Sequence, residues 1–83
     1  MALDNIGHLI LPVAQALWGP PRPGGTKTET RFGDGRTINQ IKGIWYDHSD
    51  DKGGGVIALV ERETGRKGRE AVQWLVENGF LDP

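Results

Sequence analysis

The most chemically suggestive tripeptide of this chain is Asp47-His48-Ser49, which contains the three side-chain types of a serine hydrolase triad. Consecutive residues on a strand point to opposite faces of a sheet, so these three side chains cannot form a proton relay among themselves. Ser49 is also the only serine in the chain. We expect no nucleophilic catalysis here, and no enzyme activity from this chain alone.

A cluster of potential cation ligands surrounds the same tripeptide: Asp47, His48, Asp50 and Asp51. Their spacing differs from that of a calcium loop, in which ligands occupy alternate positions and a glutamate follows later. Short acidic side chains before a helix also accept hydrogen bonds from turn amides, and we favour that interpretation. The chain has no cysteine, which excludes disulfides and thiolate zinc sites, and we expect no metal or other cofactor.

Three consecutive glycines, residues 53–55, precede a predicted helix. Exposed amides at such a position can bind an anion. The run lacks the Gly-Lys-Ser/Thr ending of a phosphate loop and the glycine spacing of a dinucleotide-binding turn. We favour the alternative that the helix packs closely on a strand and leaves no room for side chains, with anion binding as the second interpretation.

Basic residues interleave with aromatic residues in the middle of the chain. Residues 22–47 contain five basic and three acidic residues, and residues 62–70 contain four basic and two acidic ones. On a small antiparallel sheet, such charges can contact phosphates while exposed rings stack on bases, although a solvated sheet face gives the same pattern. The candidate nucleic-acid-binding residues are Arg31, Arg36, Lys42, Trp45, His48 and Lys52.

The first segments that must position these residues are helical and then irregular. Residues 1–19 carry apolar side chains at helical spacings, and Gly19 with the prolines after it predicts the helix end. Pro12 either breaks this helix in two or begins a shorter helix that ends at Trp18. Residues 20–28 predict a loop rich in proline and glycine.

The later segments predict a sheet followed by helices. Residues 29–48 predict three antiparallel strands, with Asp34-Gly35 as a two-residue hairpin turn. Residues 54–81 predict two helices, with residues 53–55 in an irregular turn before them. The second helix should end in a left-handed cap at Asn78-Gly79, with Phe80 folded back onto Leu75.

Strand alternation determines which ring of the third strand is exposed. Ile44 and Tyr46 must share one face and Trp45 the other. We predict that Ile44 and Tyr46 face the helices, which leaves Trp45 outside to stack on a base; the alternative is that Trp45 packs under the proline-rich loop. The predicted core is Ile44, Tyr46, Val56, Ile57, Val60, Val72, Leu75 and Val76.

Length and composition bound these expectations. The 83 residues suffice for a single α+β domain over residues 1–83, with a thin core. The net charge of −1 provides no overall positive field, so any nucleic-acid binding should be local and weak. The longest apolar run is too short to span a bilayer or to form a signal peptide, so we expect no membrane partner and a cytoplasmic protein. The chain could be a whole small protein or a fragment.

Several segments together resemble a known family. They are residues 31–33, 43–48, 53–60 and 69–75, with Leu17-Trp18-Gly19-Pro20 before them. The combination resembles the N-terminal region of phage, prophage and plasmid Toprim-type DNA primases or primase-helicases, over roughly residues 17–81. That region in turn is similar to the zinc-ribbon domain of bacterial replicative primases. Residues such as His48 and Asp51 stand where the zinc-bearing relatives have cysteines.

The resemblance implies a zinc-ribbon-like fold without metal and a role in DNA replication. It implies a non-catalytic module that binds single-stranded DNA weakly and positions the template for primer synthesis. A Toprim or helicase domain in the same or a neighbouring chain would be the partner and would carry the catalytic carboxylates. The alternative is a protein-interaction module, or an inert relic of the primase domain, that binds another replication protein.

Overall fold

The computed structural model describes residues 6–33 and 35–82. A 3₁₀ turn, Gly7–Leu9, leads into helix α1. The elements are α1 (Ile10–Trp18), β1 (Glu29–Phe32), β2 (Arg36–Asn39), β3 (Ile44–Asp47), β4 (Lys52–Gly54), α2 (Val56–Thr64) and α3 (Arg69–Glu77). The strands form one antiparallel sheet in the order β1-β2-β3-β4. The α+β class is confirmed, but the sheet has four strands where the sequence predicted three.

Helix α1 accommodates Pro12 in its first turn. The helix begins two residues earlier, at Ile10, so Pro12 occupies a position whose N–H would have no partner within the helix. Pro12 therefore neither breaks the helix nor begins it, and both predicted alternatives are wrong. Residues 1–5 of the predicted helical segment lie outside the described residues. The helix ends at Trp18, and the next residue, Gly19, has φ +86° and stops it as predicted. The loop over residues 20–28 contains no helix or strand, as predicted.

The first hairpin connects its strands through three residues. Phe32 pairs with Arg36, so residues 33–35 form the connection and the predicted two-residue turn is wrong. Gly33 and Gly35 have φ values of +52° and +130°, in the region that favours glycine. Asp34 lies outside the described residues.

The sheet faces are the reverse of those predicted for β3. Trp45 pairs with Ile38 and faces the helices, and it is only 3% exposed. Ile44 lies on the opposite face and is 41% exposed, while Tyr46, on that same face, is half-buried. The reason is packing between distant residues, because Trp45 lies opposite the buried Ile38 and its ring packs edge-to-face on Trp18. Strand alternation alone requires only that Trp45 and Ile44 face opposite sides.

The core lies between the helices and this inward face of the sheet. Of the predicted core residues, Val56, Val60 and Leu75 are buried, Ile57, Val72, Val76 and Tyr46 are half-buried, and Ile44 is exposed. The sequence did not predict the contribution of the other buried residues: Ile6, Ile10, Val13, Ala14, Phe32, Ile38, Trp45, Leu59 and Ala71.

Among the described residues, no helix is long and apolar enough to cross a membrane.

The glycine run forms the unpredicted strand β4 and the start of α2, rather than an irregular turn. A Cβ on Gly54 would lie 2.8 Å from the Ala58 Cβ, and one on Gly53 would lie 2.6 Å from the Trp45 carbonyl oxygen. These distances are too short for side chains, so the run permits close approach of α2 and β3 to β4. This packing supports the interpretation favoured from the sequence.

Both C-terminal helices end in left-handed glycines. Helix α2 ends at Thr64 and is followed by Gly65, with φ +79°. Helix α3 begins at Arg69. After it, the Phe80 N–H donates to the Leu75 carbonyl (2.9 Å) and the Gly79 N–H donates to the Val76 carbonyl (3.1 Å). These two bonds define the predicted Schellman cap.

Candidate nucleic-acid interface

A cleft of about 390 Å³ opens beside the β1–β2 hairpin. Its polar lining residues are Arg22, Glu29, Arg31, Arg36, Thr37 and His48. We call it the arginine cleft. Among its described lining residues, three guanidinium groups and one imidazole accompany a single carboxylate, which makes the cleft a local basic site on a chain of net charge −1.

Arg22 reaches the cleft because the proline-rich loop folds back along β1. The Arg22 N–H donates to the Arg31 carbonyl at 2.7 Å, and Arg22 Nη1 donates to the Gly33 carbonyl at 2.9 Å. The loop therefore forms one wall of the cleft. Arg22 was not among the predicted site residues, since the loop has no periodicity and its contact with β1 is visible only in the fold.

Arg36 is held against the C-terminal end of α1. Its guanidinium carbon lies 5.0 Å from the centre of the Trp18 ring, a cation–π distance. The Trp18 ring packs edge-to-face on Phe32 and Trp45, with ring centres 5.5 and 6.3 Å apart. A Cβ on Gly33 would lie only 2.5 Å from Arg36 Nη2. The ring and the glycine together define the position of this guanidinium group.

Arg31 lies on the outer face of the sheet, which is the face opposite the helices. Its Nε is 3.7 Å from a carboxylate oxygen of Glu29, and both side chains are largely exposed. Exposed pairs of this kind contribute little to stability, so the Arg31 guanidinium group can exchange this partner for a ligand. In register, Arg31 is opposite Thr37, and Thr37 is opposite Tyr46.

Tyr46 and His48 supply the rings next to these arginines. Their ring centres are 4.6 Å apart in an edge-to-face arrangement, and the Tyr46 hydroxyl donates a hydrogen bond to the Asp51 carboxylate. The backbone N–H of His48 donates to the Gly35 carbonyl at 2.7 Å, which fixes His48 beside the hairpin loop. The aromatic ring on the outer face is thus Tyr46, and the sequence analysis missed it because it assigned the two faces of β3 the wrong way round.

Three of the six predicted site residues lie outside the arginine cleft. Trp45 is buried and its Nε1 donates to the Gly55 carbonyl at 2.9 Å, so the prediction that it stacks on a base is wrong. Lys42 is exposed in the β2–β3 turn, at the opposite end of β2 from Arg36. Lys52 lies on the edge strand β4 and lines a separate groove with Arg62 and other residues. Arg31, Arg36 and His48 line the cleft.

The acidic cluster forms an ion-pair network. Arg62 Nη2 donates to Asp47 Oδ2 at 2.6 Å and also contacts Asp50, while the Ser49 N–H donates to Asp47 Oδ1 at 2.9 Å. The hydrogen bond from Arg62 holds the pKa of Asp47 below its ordinary value, and the same bond raises the pKa of Arg62. Within residues 6–33 and 35–82, no three histidine or acidic side chains converge on a possible metal position.

The arginine cleft has the chemistry of an anion site. Guanidinium groups present several N–H donors in a plane and bind phosphate or carboxylate groups in bidentate geometry. The Thr37 hydroxyl lines the same cleft and can donate one further hydrogen bond.

No protein-family model matches the chain, and no curated protein or solved structure matches it significantly.

Proposed function

We propose that this domain binds single-stranded nucleic acid through the arginine cleft and the adjoining outer face of the sheet. The observation that carries the proposal is the gathering of Arg22, Arg31, Arg36 and His48 around one cleft on a chain of net charge −1. Phosphate is the ligand group that such a local concentration of guanidinium groups favours most.

The ring beside the cleft supports a single strand as the ligand. Tyr46 lies on the outer face, two strands from Arg31 and in register with it through Thr37. Neighbouring strands are about 4.8 Å apart, so about 10 Å separates the backbones that carry the ring and the guanidinium group. This arrangement lets a base stack on Tyr46 while a neighbouring phosphate contacts Arg31 on the same face, as in known single-strand-binding sheets.

The biological role that we propose follows from the sequence resemblance. A zinc-ribbon-like domain without metal would act as the non-catalytic template-binding module of a phage-type primase. Weak binding suits that role, because tethering to a Toprim or helicase domain raises the effective concentration of the template. A Toprim or helicase segment downstream, in the same chain or encoded next to it, would support this role.

The proposal is tested by titrating labelled single-stranded DNA with the protein at two salt concentrations. Arg31→Ala and Arg36→Ala should each weaken binding and lower the log–log salt slope by about 0.7 for each lost phosphate contact. Tyr46→Ala should weaken binding by about 1–3 kcal/mol if one base stacks on the ring. Arg69→Ala is the matched control, because it removes an exposed positive charge from α3.

Two outcomes would contradict the proposal. Equal losses of affinity in Arg36→Ala and Arg69→Ala would mean that only overall charge matters. No binding by the unaltered protein at low salt and high concentration would remove nucleic acid as the ligand.

A second candidate function is a protein-interaction module. The observation that favours it is the exposure of two large apolar side chains, Ile41 at 77% and Ile44 at 41%, at the end of the sheet that holds the β2–β3 turn. Apolar residues exposed next to each other can mark an interface with another protein. If Ile41→Ser abolished binding to a neighbouring replication protein while nucleic-acid binding was absent, this function would replace the first.

A further inference from the structure

The basic groups of the arginine cleft are confined to a small area. Lys42 and Lys52 lie elsewhere, and the net charge of −1 makes the remainder of the chain net acidic. A long polyanion therefore gains few contacts beyond the cleft. The ligand that gains most from such a site is one whose charge is concentrated in a single group.

We infer that the arginine cleft is a subsite for one terminal phosphate, such as the 5′-phosphate of a nucleic-acid strand, and that Arg36 makes the principal contact. The inference rests on the proposed function and specifies its ligand. A phosphate monoester carries a charge of about −1.5 to −2 near neutral pH and three strong acceptor oxygens. A diester within a strand carries a single charge, so the concentrated guanidinium groups favour the terminal group.

Arg36 is preorganised for this contact by two residues from different elements. The Trp18 ring supports its guanidinium group at 5.0 Å, and Gly33 leaves the space that Nη2 occupies. A guanidinium group already fixed in place loses less conformational freedom when a ligand binds. Among the described residues Arg36 makes no ion pair, and Glu29, the one described carboxylate of the cleft, pairs with Arg31. Trp18 and Gly33 are thus positioning residues.

The preference for a terminal phosphate is tested with two fluorescent oligonucleotides of the same sequence. One carries a 5′-phosphate and the other a 5′-hydroxyl. The phosphorylated strand should bind about five- to tenfold more tightly, as expected for hydrogen bonds to a charged group at a partly exposed site. Arg36→Gln should abolish this preference, whereas Arg69→Gln should keep it. Inorganic phosphate should compete with the phosphorylated strand and should perturb the NMR signals of the Arg36 side chain.

The outcomes separate this inference from the proposed function. Equal binding of the two strands would overturn the terminal-phosphate subsite and leave single-strand binding intact. If neither strand bound but inorganic phosphate perturbed Arg36, the subsite would stand and the proposed function would fall. Binding of neither strand nor phosphate would overturn both.

The positioning role is tested with two glycine variants. Gly33→Ala and Gly65→Ala both place a side chain at positive φ, +52° and +79°, but only the first meets the Arg36 guanidinium group. Gly33→Ala should lose the 5′-phosphate preference and Gly65→Ala should keep it. Trp18→Leu should remove the ring-current shift of the Arg36 side-chain protons, a measurement that needs no ligand. If Gly33→Ala retained the full preference, the positioning role would be wrong.

Discussion

The ion pair between Asp47 and Arg62 provides the sharpest test of the packing. Asp47 is 7% exposed, and its two carboxylate oxygens accept hydrogen bonds from Arg62 and from the Ser49 amide. The Arg62 guanidinium carbon also lies 5.0 Å from the Trp45 ring centre. Asp47→Asn keeps the size of the side chain and an acceptor for Ser49, but it leaves the guanidinium group without its buried counter-charge.

The expected loss of stability follows from the exposure of the two partners. Removing one partner of a fully buried pair costs about 3–5 kcal/mol. The Arg62 side chain is 23% exposed and keeps Asp50 as a second partner. We therefore expect Asp47→Asn to lower the free energy of unfolding by a smaller amount, about 2–3 kcal/mol. For a domain of this size, that free energy lowers the melting temperature by about 10–20 °C. This loss is a large fraction of the total stability, which is about 5–10 kcal/mol for a domain of this size.

The pH dependence distinguishes the ion pair from a packing effect. Because the pKa of Asp47 is lower in the folded protein, its contribution is fully present above the ordinary aspartate pKa of about 3.9. The contribution is lost as the pH falls below that value towards the depressed pKa of the folded state. Urea unfolding of both proteins should thus show a constant difference above pH 5 or so, and a shrinking difference in more acidic solution.

Asp50→Asn is the control, because Asp50 contacts the same guanidinium group from an exposed position with a side-chain exposure of 57%. The Asp50→Asn variant should lose less than about 1 kcal/mol of unfolding free energy, because exposed ion pairs contribute little to stability. If the two variants lost the same free energy, or if the Asp47→Asn loss persisted unchanged in strong acid, the reasoning from burial would be refuted.

Three further outcomes follow from the core and its composition. In urea unfolding, Trp45→Ala should lower the free energy of unfolding by about 3–5 kcal/mol, because its ring is buried. Tyr46→Ala should keep most of the stability, since its ring lies on the outer face. Leu75→Ala should lower the free energy of unfolding by about 2–5 kcal/mol, whereas Arg69→Ala should lower it by less than about 0.5 kcal/mol. Equal melting temperatures for the two variants would mean that α3 is oriented differently. Excess chelator should leave the thermal melt followed by circular dichroism unchanged, and a drop of several degrees would reveal a structural metal.

The element boundaries that local chemistry controls were predictable from the sequence. Gly19, Gly65 and Gly79 each follow the last helical residue or its cap, because glycine adopts positive φ at low cost. The strands over residues 29–48 were predictable from β-branched and aromatic residues around turn signals. Strand β4 was not predictable, because Lys52-Gly53-Gly54 has low strand propensity and forms through pairing with β3.

The candidate site depended on long-range contacts that the sequence does not encode locally. The face of Trp45 is set by its packing with Ile38 and Trp18, whereas strand alternation requires only that Trp45 and Ile44 face opposite sides. Arg22 and Trp18 meet the β1–β2 hairpin only after the loop over residues 20–28 folds back along β1. Arg31, Arg36 and His48 were identified by residue type, but their common cleft was visible only in three dimensions.

The strand order has a consequence for the rate of folding. Every hydrogen-bonded strand pair in the sheet joins neighbours in sequence through a short connection, so each hairpin can close without a long chain excursion. Hairpins of this kind form in about 1–10 μs, and low sequence separation correlates with rapid two-state folding. The docking of α1 must close a longer connection, of about ten residues, before Trp18 reaches Phe32. Refolding followed by stopped-flow dilution from urea should give a single exponential phase. Trp18→Leu should slow refolding if α1 is already docked in the transition state, and should leave the refolding rate unchanged if α1 docks later.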